Sequence, residues 1–71
     1  NKYEIGLSLN TIGQLYIELG NYAQAERVLR EARQMADQAS SKSLLMQNYQ
    51  YWSKMYEAKS DFINQSAQIN R

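Results

Sequence analysis

Few side chains in this sequence could perform catalytic chemistry. It contains no histidine and no cysteine, so the commonest general base, the usual transition-metal ligand and any thiolate or disulfide are missing. Glu57 and Asp61 lie four residues apart, but they straddle a predicted helix end, and no carboxylate pair has a base or metal partner. We therefore predict no enzyme, no catalytic residue, no metal site and no cofactor.

The charged residues are balanced and dispersed. Eight basic and seven acidic residues give a net charge of +1, which is not the electrostatic footprint of a nucleic-acid-binding protein. Arg27, Arg30 and Arg33 form a partial basic strip, but Glu26 and Glu31 neutralise it locally, so we predict a solvated outer face. No apolar run approaches the roughly 20 residues of a membrane span. We expect neither a nucleic-acid nor a membrane partner.

The composition favours long helices. The 71 residues include no proline and only three glycines, and a chain of this length is at most one small domain. We predict an all-α fold with helices over about residues 2–19, 22–39 and 42–59, and a fourth helix that begins at Phe62. The chain starts at Asn1 and ends within a helix-like segment, and we interpret it as a fragment of a longer protein.

Local signals place the turns between these helices. Gly20 suits the left-handed residue that ends the first helix. Asn21 follows as a helix N-cap, with Gln24 three residues later. Ser40–Ser41 interrupts the helical pattern and marks the next boundary. Asp61 is the predicted N-cap of the fourth helix.

Apolar residues recur at spacings of three and four along each helix, which predicts their inward faces. The aromatic residues of the third helix fall on this pattern, so we predict core packing for them rather than a ligand site. The predicted inward residues are Ile5, Leu9, Ile12, Tyr16 and Leu19, then Ala25, Val28, Leu29, Ala32, Met35 and Ala36, then Leu45, Tyr49, Trp52 and Tyr56 with Met46 and Met55 beside them, and finally Ile63 and Ile69.

One stretch combines large and small residues at fixed offsets. It reads Leu9-x-x-Ile12-Gly13-x-x-Tyr16 and then Gly20-Asn21-Tyr22-x-x-Ala25-x-x-x-Leu29-x-x-Ala32. This run resembles the tetratricopeptide repeat, a unit of two antiparallel helices that stacks into an α-solenoid and binds other proteins. The resemblance implies that Gly13 lets the first two helices touch, so Gly13→Leu should destabilise the fold.

A shift of 40 residues superimposes the two halves of the pattern. We predict a first repeat over residues 2–39 and a second, degenerate repeat over 42–71. A period near 40 resembles the variant repeats of bacterial regulatory proteins. Gln65 stands where the first repeat has Ala25, so we expect the last helix to pack loosely, to rotate or to swap to another chain. The alternative is that a small shift brings Ser66 to the contact.

The resemblance also implies a concave groove lined by the first helix of each repeat. The partner-binding positions that it carries over are Asn10, Thr11 and Gln14, then Gln47, Gln50, Tyr51 and Lys54. Amide side chains both donate and accept hydrogen bonds, which suits a peptide backbone. On this interpretation, Asn10→Ala should weaken a ligand and leave folding intact. The alternative is that these are ordinary solvated helix positions.

Three functions are compatible with these features. The leading hypothesis is a protein–protein interaction module of a larger regulatory or signalling protein in the cytoplasm, whose groove receives a peptide or a partner helix. The second is a structural segment that self-associates through exposed repeat ends. The third is a helical appendage of an enzyme whose active site lies elsewhere.

Overall fold

Residues 1–69 contain three α-helices joined by two tight turns. The computed structural model describes the backbone of residues 1–69 and the side chains of residues 1–64. Helix α1 spans Lys2–Glu18, α2 spans Tyr22–Gln38 and α3 spans Lys42–Ile69, and no strand occurs within residues 1–69. The prediction of an all-α fold is confirmed, with three helices in place of four.

The predicted turn at residue 60 is absent, and α3 runs through it as one helix of 28 residues. A turn there would place Ser60 in the left-handed region, which costs a residue with a side chain about 1–2 kcal/mol. Packing of a fourth helix would have to offset that cost, and Gln65 occupies the position where a small residue would allow close contact. The predictions for the packing of Gln65, Ser66 and Ile69 concern side chains outside the described residues.

The first turn has the structure that its sequence predicts. Gly20 adopts a φ of 76°, its N–H donates to the Ile17 carbonyl at 3.0 Å, and the N–H of Asn21 donates to the Tyr16 carbonyl at 2.9 Å. This pair of hydrogen bonds is the Schellman motif. The Asn21 side chain then caps α2 by accepting from the N–H of Gln24 at 3.4 Å.

The second turn repeats the first without a glycine. Ser40 has a φ of 52°, and the N–H groups of Ser40 and Ser41 donate to the carbonyls of Asp37 and Ala36 at 3.1 and 3.0 Å. The Ser41 hydroxyl accepts from the N–H of Leu44 at 3.2 Å and caps α3. The predicted boundary at Ser40–Ser41 is confirmed.

Ser40→Gly is expected to raise the free energy of unfolding by about 0.5–1 kcal/mol. Glycine removes the steric cost of the left-handed conformation, and the added freedom of the unfolded chain offsets only part of that gain. Ser53→Gly, at an exposed position inside α3, is the matched control and should lower stability by a similar amount. Urea denaturation measures the free energy of unfolding of both variants. Changes of the same sign in the two variants would contradict the assignment of strain to Ser40.

The core is small and rich in alanine. Gly13 permits the closest helix contact, because a Cβ atom there would lie 2.6 Å from Cδ2 of Leu29. Gly6 likewise lets α1 approach α3, although less closely, since its Cβ would lie 3.1 Å from Cδ1 of Leu44. The buried apolar side chains are Ala25, Val28, Leu29, Ala32, Ala36, Leu44 and Met55. The predicted inward face of α2 is thereby confirmed, with Met35 half-buried.

The predicted inward faces of α1 and α3 are displaced around their helices. On α1 the buried residues are Gly6, Asn10 and Gly13, whereas Ile5 and Ile12 are exposed. The fully buried side chains of α3 are Leu44, Asn48 and Met55, while Leu45 and Trp52 are half-buried and Met46, Tyr49 and Tyr56 are exposed. Both inward faces are displaced for the same reason. Glycine and asparagine occupy positions that contact the neighbouring helices, and a search for apolar periodicity does not include these residue types.

None of the helices within residues 1–69 is both long and apolar enough to cross a lipid bilayer.

Candidate functional site

A buried cluster of amide groups joins the three helices. Asn10 on α1 and Asn48 on α3 are both 0% exposed. The Asn48 amide nitrogen donates to Oδ1 of Asn10 and to the Leu29 carbonyl of α2, each at 2.9 Å. The Asn10 amide nitrogen donates to Oε1 of Gln47 at 3.1 Å and lies 3.5 Å from the Leu44 carbonyl. One hydrogen-bond network therefore fixes the positions of all three helices.

The orientation of the Asn48 amide follows from its neighbours. Its nitrogen lies between two acceptors, Oδ1 of Asn10 and the carbonyl of Leu29, so exchange of nitrogen and oxygen would place three oxygens together. Its own Oδ1 is buried and has no hydrogen-bond partner in the part of the chain that the structure describes. Sequence reasoning missed Asn48, although it lies on a helical stripe with Leu44, Tyr51 and Met55 at spacings of four, three and four.

Asn10 is buried, whereas the resemblance predicted it on the surface of the groove. Both of its amide atoms are engaged inside the protein, so it is not an open groove position. The expectation that Asn10→Ala leaves folding intact is revised, because that change removes an acceptor from Asn48 and opens a cavity. The role of Asn10 is to position the helices.

The other six predicted groove residues all reach solvent. We call them the α1–α3 strip, which is defined as Thr11, Gln14, Gln47, Gln50, Tyr51 and Lys54. Gln47 contacts Asn10 across the two helices. Gln14 lies four residues after Asn10 and Tyr51 four residues after Gln47, so both continue the facing sides of α1 and α3. All three side chains of this central row are half-buried.

Exposed polar groups border this central row. The Thr11 hydroxyl donates to the Leu7 carbonyl at 3.0 Å, which leaves its oxygen free to accept. The Lys54 ammonium lies 5.9 Å from the centre of the Tyr51 ring, within the range of a cation–π contact. Gln50 is exposed. The α1–α3 strip thus offers amides, an aromatic ring and one cation side by side.

A second surface lies between α2 and α3 and contains the aromatic residues that we predicted to be core. Tyr49 is 50% and Tyr56 is 57% exposed, and the rings of Trp52 and Tyr56 stack with centroids 5.8 Å apart. The Arg33 guanidinium lies 5.5 Å from the centre of the Tyr49 ring. These four residues line an open pocket of about 310 Å³, so the prediction of a buried aromatic core is wrong.

The basic strip of α2 is confirmed as an exposed face, since all three arginines are exposed, and two of them pair with glutamates. Arg30 pairs with Glu26 at 3.3 Å and Arg27 pairs with Glu31 at 3.5 Å. Arg33 differs, because it forms no ion pair with any carboxylate whose side chain is described. Its charge is therefore available at the aromatic pocket.

A third surface is apolar and belongs to α1 alone. It consists of Ile5, Ile12, Leu15 and Leu19, which are 41–78% exposed.

Within residues 1–64 no three carboxylate side chains come together to hold a metal ion. The three surfaces offer apolar contact, hydrogen bonds and single charges.

Comparison with protein-family models, with curated proteins and with solved structures gives no match for this chain.

Proposed function

We propose that this chain is a protein–protein interaction module of the tetratricopeptide type, and that its α1–α3 strip binds a peptide or a partner helix. The observation that carries the proposal is the row of half-buried Gln14, Gln47 and Tyr51 on the facing sides of α1 and α3, where a hydrogen bond joins the two helices. Each side chain is half-buried and still reaches solvent, and the hydrogen bond from Asn10 holds Gln47 in place. Such a row can bind a ligand with little loss of side-chain freedom.

The chemistry of the strip suits an extended or helical peptide. Gln14 and Gln50 can donate to backbone carbonyls and accept from backbone N–H groups. Tyr51 supplies apolar area with a polar tip, and Lys54 beside it can pair with a carboxylate. Lys54 is the single cation among the residues of this strip. The strip therefore favours a ligand with one acidic group over a ligand with several.

Two features of the backbone support the tetratricopeptide interpretation. Gly13 lies against Leu29, where the repeat pattern has its small and large residues, and Gly20 adopts the left-handed conformation that the pattern places between the two helices. Binding through this surface would suit a cytoplasmic regulatory or signalling protein. An enzyme, if one is attached, would use the module as an appendage.

The second candidate function is self-association through the apolar face of α1. Leu19 is 78% exposed and Leu15 is 53% exposed, and apolar residues grouped in this way commonly mark an interface. Light scattering over a concentration series distinguishes the two functions. A dimer that Leu15→Gln converts to a monomer would favour self-association.

Peptides selected from a random library on the immobilised chain test the proposed function. Gln14→Ala combined with Tyr51→Ala should weaken the selected peptides about tenfold or more, because a hydrogen bond and an aromatic contact are lost together. Gln34→Ala, at an exposed position of α2, is the matched control and should leave the Kd within about twofold. Titration calorimetry gives each Kd, and equal losses in both variants would contradict the assignment of the α1–α3 strip.

A further inference from the structure

A continuous stripe of large side chains runs along α3 on the side that faces α2. We call it the aromatic seam and define it as Leu45, Tyr49, Trp52, Tyr56 and Ile63. The spacings of four, three, four and seven residues are those of one face of a packed helix. At 1.5 Å per residue, the aromatic seam is about 27 Å long.

Nothing in the described part of the chain covers the aromatic seam beyond α2. Tyr49, Tyr56 and Ile63 are 50–57% exposed, and the open pocket lined by Arg33, Tyr49, Trp52 and Tyr56 indents its centre. Because α3 continues straight past Ser60, no helix of residues 1–69 returns to pack on these rings. A neighbouring helix is the element whose side chains match this spacing.

Two cations lie beside the aromatic seam. Arg33 forms no ion pair with a described carboxylate, and its guanidinium is held over the Tyr49 ring at 5.5 Å. Stacking leaves the N–H groups at the edge of the guanidinium free to bind a carboxylate. Lys59 is exposed and lies between Tyr56 and Ile63 in the same row. An acidic partner complements both cations.

We propose that the aromatic seam binds an acidic amphipathic helix from a partner protein. Its apolar residues would pack against Tyr49, Trp52 and Tyr56, and a carboxylate on its flank would pair with Arg33. The length of the seam favours a helix over a small ligand, because a small ligand would fill only the central pocket. This surface is separate from the α1–α3 strip and is independent of the function proposed there.

The probe is a synthetic helical peptide of about three heptads with leucine at positions a and d and glutamate at e and g. It lacks tryptophan and tyrosine, so the single Trp52 reports contact through its fluorescence. We expect saturable binding with a blue shift of Trp52 emission. The same peptide with lysine in place of glutamate should bind about tenfold more weakly or not at all.

Paired variants locate the contact. Tyr56→Gln should weaken the glutamate peptide about tenfold, whereas Met46→Gln, at an exposed position on another side of α3, should not. Arg33→Gln should weaken it about threefold to fivefold, and Arg30→Gln should have no effect. Equal binding of both peptides, equal losses within either pair, or absence of saturable binding would overturn the proposal. A dimer of the chain that Tyr56→Gln dissociates would also overturn it, since a second copy would then cover the seam.

Discussion

Replacement of Asn48 by aspartate is expected to lower the free energy of unfolding by about 3–5 kcal/mol at pH 7, because a buried charge would lack compensation. The new oxygen would replace a nitrogen that lies 2.9 Å from both Oδ1 of Asn10 and the Leu29 carbonyl. Two attractive contacts would become repulsive at a position with 0% exposure. Urea denaturation followed by circular dichroism measures the loss.

The pH dependence of this variant provides a second test. Burial raises the pKa of the introduced carboxyl above its unfolded value of about 3.9. Asn48→Asp is therefore nearest to the wild-type stability below about pH 3.9 and falls behind as pH rises through the raised folded-state pKa. Asn64→Asp, at an exposed position of α3, is the control and should change stability by less than about 0.5 kcal/mol. A loss independent of pH would argue against burial of the charge.

Gly13→Leu is expected to destabilise the protein by about 3 kcal/mol or more, at or beyond the upper end of overpacking costs. Even the Cβ atom would lie 2.6 Å from Cδ2 and 2.8 Å from Cγ of Leu29. Three further carbons would have to enter the same contact. The helices α1 and α2 would separate or rotate, and the network around Asn10 would lose its geometry.

Ser8→Leu is the matched control for this change. Ser8 is exposed on the same helix, and leucine there adds the same atoms without a packed neighbour. Thermal unfolding should show a clear fall in Tm for Gly13→Leu and a small change for Ser8→Leu. Equal Tm values for wild type and Gly13→Leu would contradict the close approach of α1 to α2.

Local signals in the sequence predict the hairpin of α1 and α2 well. Gly20 can adopt the left-handed conformation at low cost, Asn21 can cap α2, and Gly13 and Ala25 are small where the helices touch. These properties depend on residues that are near in sequence or fixed by a single contact. The turn at Ser40 follows from the same logic, with a serine tolerated in the left-handed region because α3 packs onto the hairpin.

The inward face of α3 could not be chosen from periodicity. Leu44, Asn48, Tyr51 and Met55 have the same four-three-four spacing as Leu45, Tyr49, Trp52 and Tyr56. The second stripe is more apolar and more aromatic, so hydrophobicity favours it. The first stripe faces inward, with Tyr51 half-buried, because Asn48 bonds to both other helices. A hydrogen bond between distant residues leaves no signal in local composition.

The absence of a fourth helix from residues 1–69 has a similar explanation. Ser60, Asp61 and Phe62 resemble the Gly20–Tyr22 turn in size and polarity, which is why a turn was predicted there. A helix continues unless packing of the following segment stabilises a turn in its place. The outcome at Ser60 thus depends on tertiary contacts of the following segment, and these cannot be deduced from three residues.

The binding role of the groove residues stays a prediction, and the structure shows only how accessible they are. Six of the seven positions that the resemblance carried over reach solvent, with Gln14, Gln47 and Tyr51 half-buried and Thr11, Gln50 and Lys54 exposed. Asn10 is the exception, since a polar residue on an inward face looks the same in sequence as one on a surface. The aromatic seam was assigned to the core for the opposite reason: large rings at helical spacing are usually covered.

The most direct test of the proposed peptide-binding surface is to map a selected peptide onto the chain by two-dimensional NMR. The side-chain amides of Gln14, Gln47 and Gln50 report on the α1–α3 strip, and those of Asn10 and Asn48 report on the interior. We predict shifts concentrated at the three glutamines and at Tyr51, with small changes at Asn48 and at Gln34 on α2. Shifts confined to Trp52 and Tyr56, or to the apolar face of α1, would contradict the assignment of binding to the α1–α3 strip.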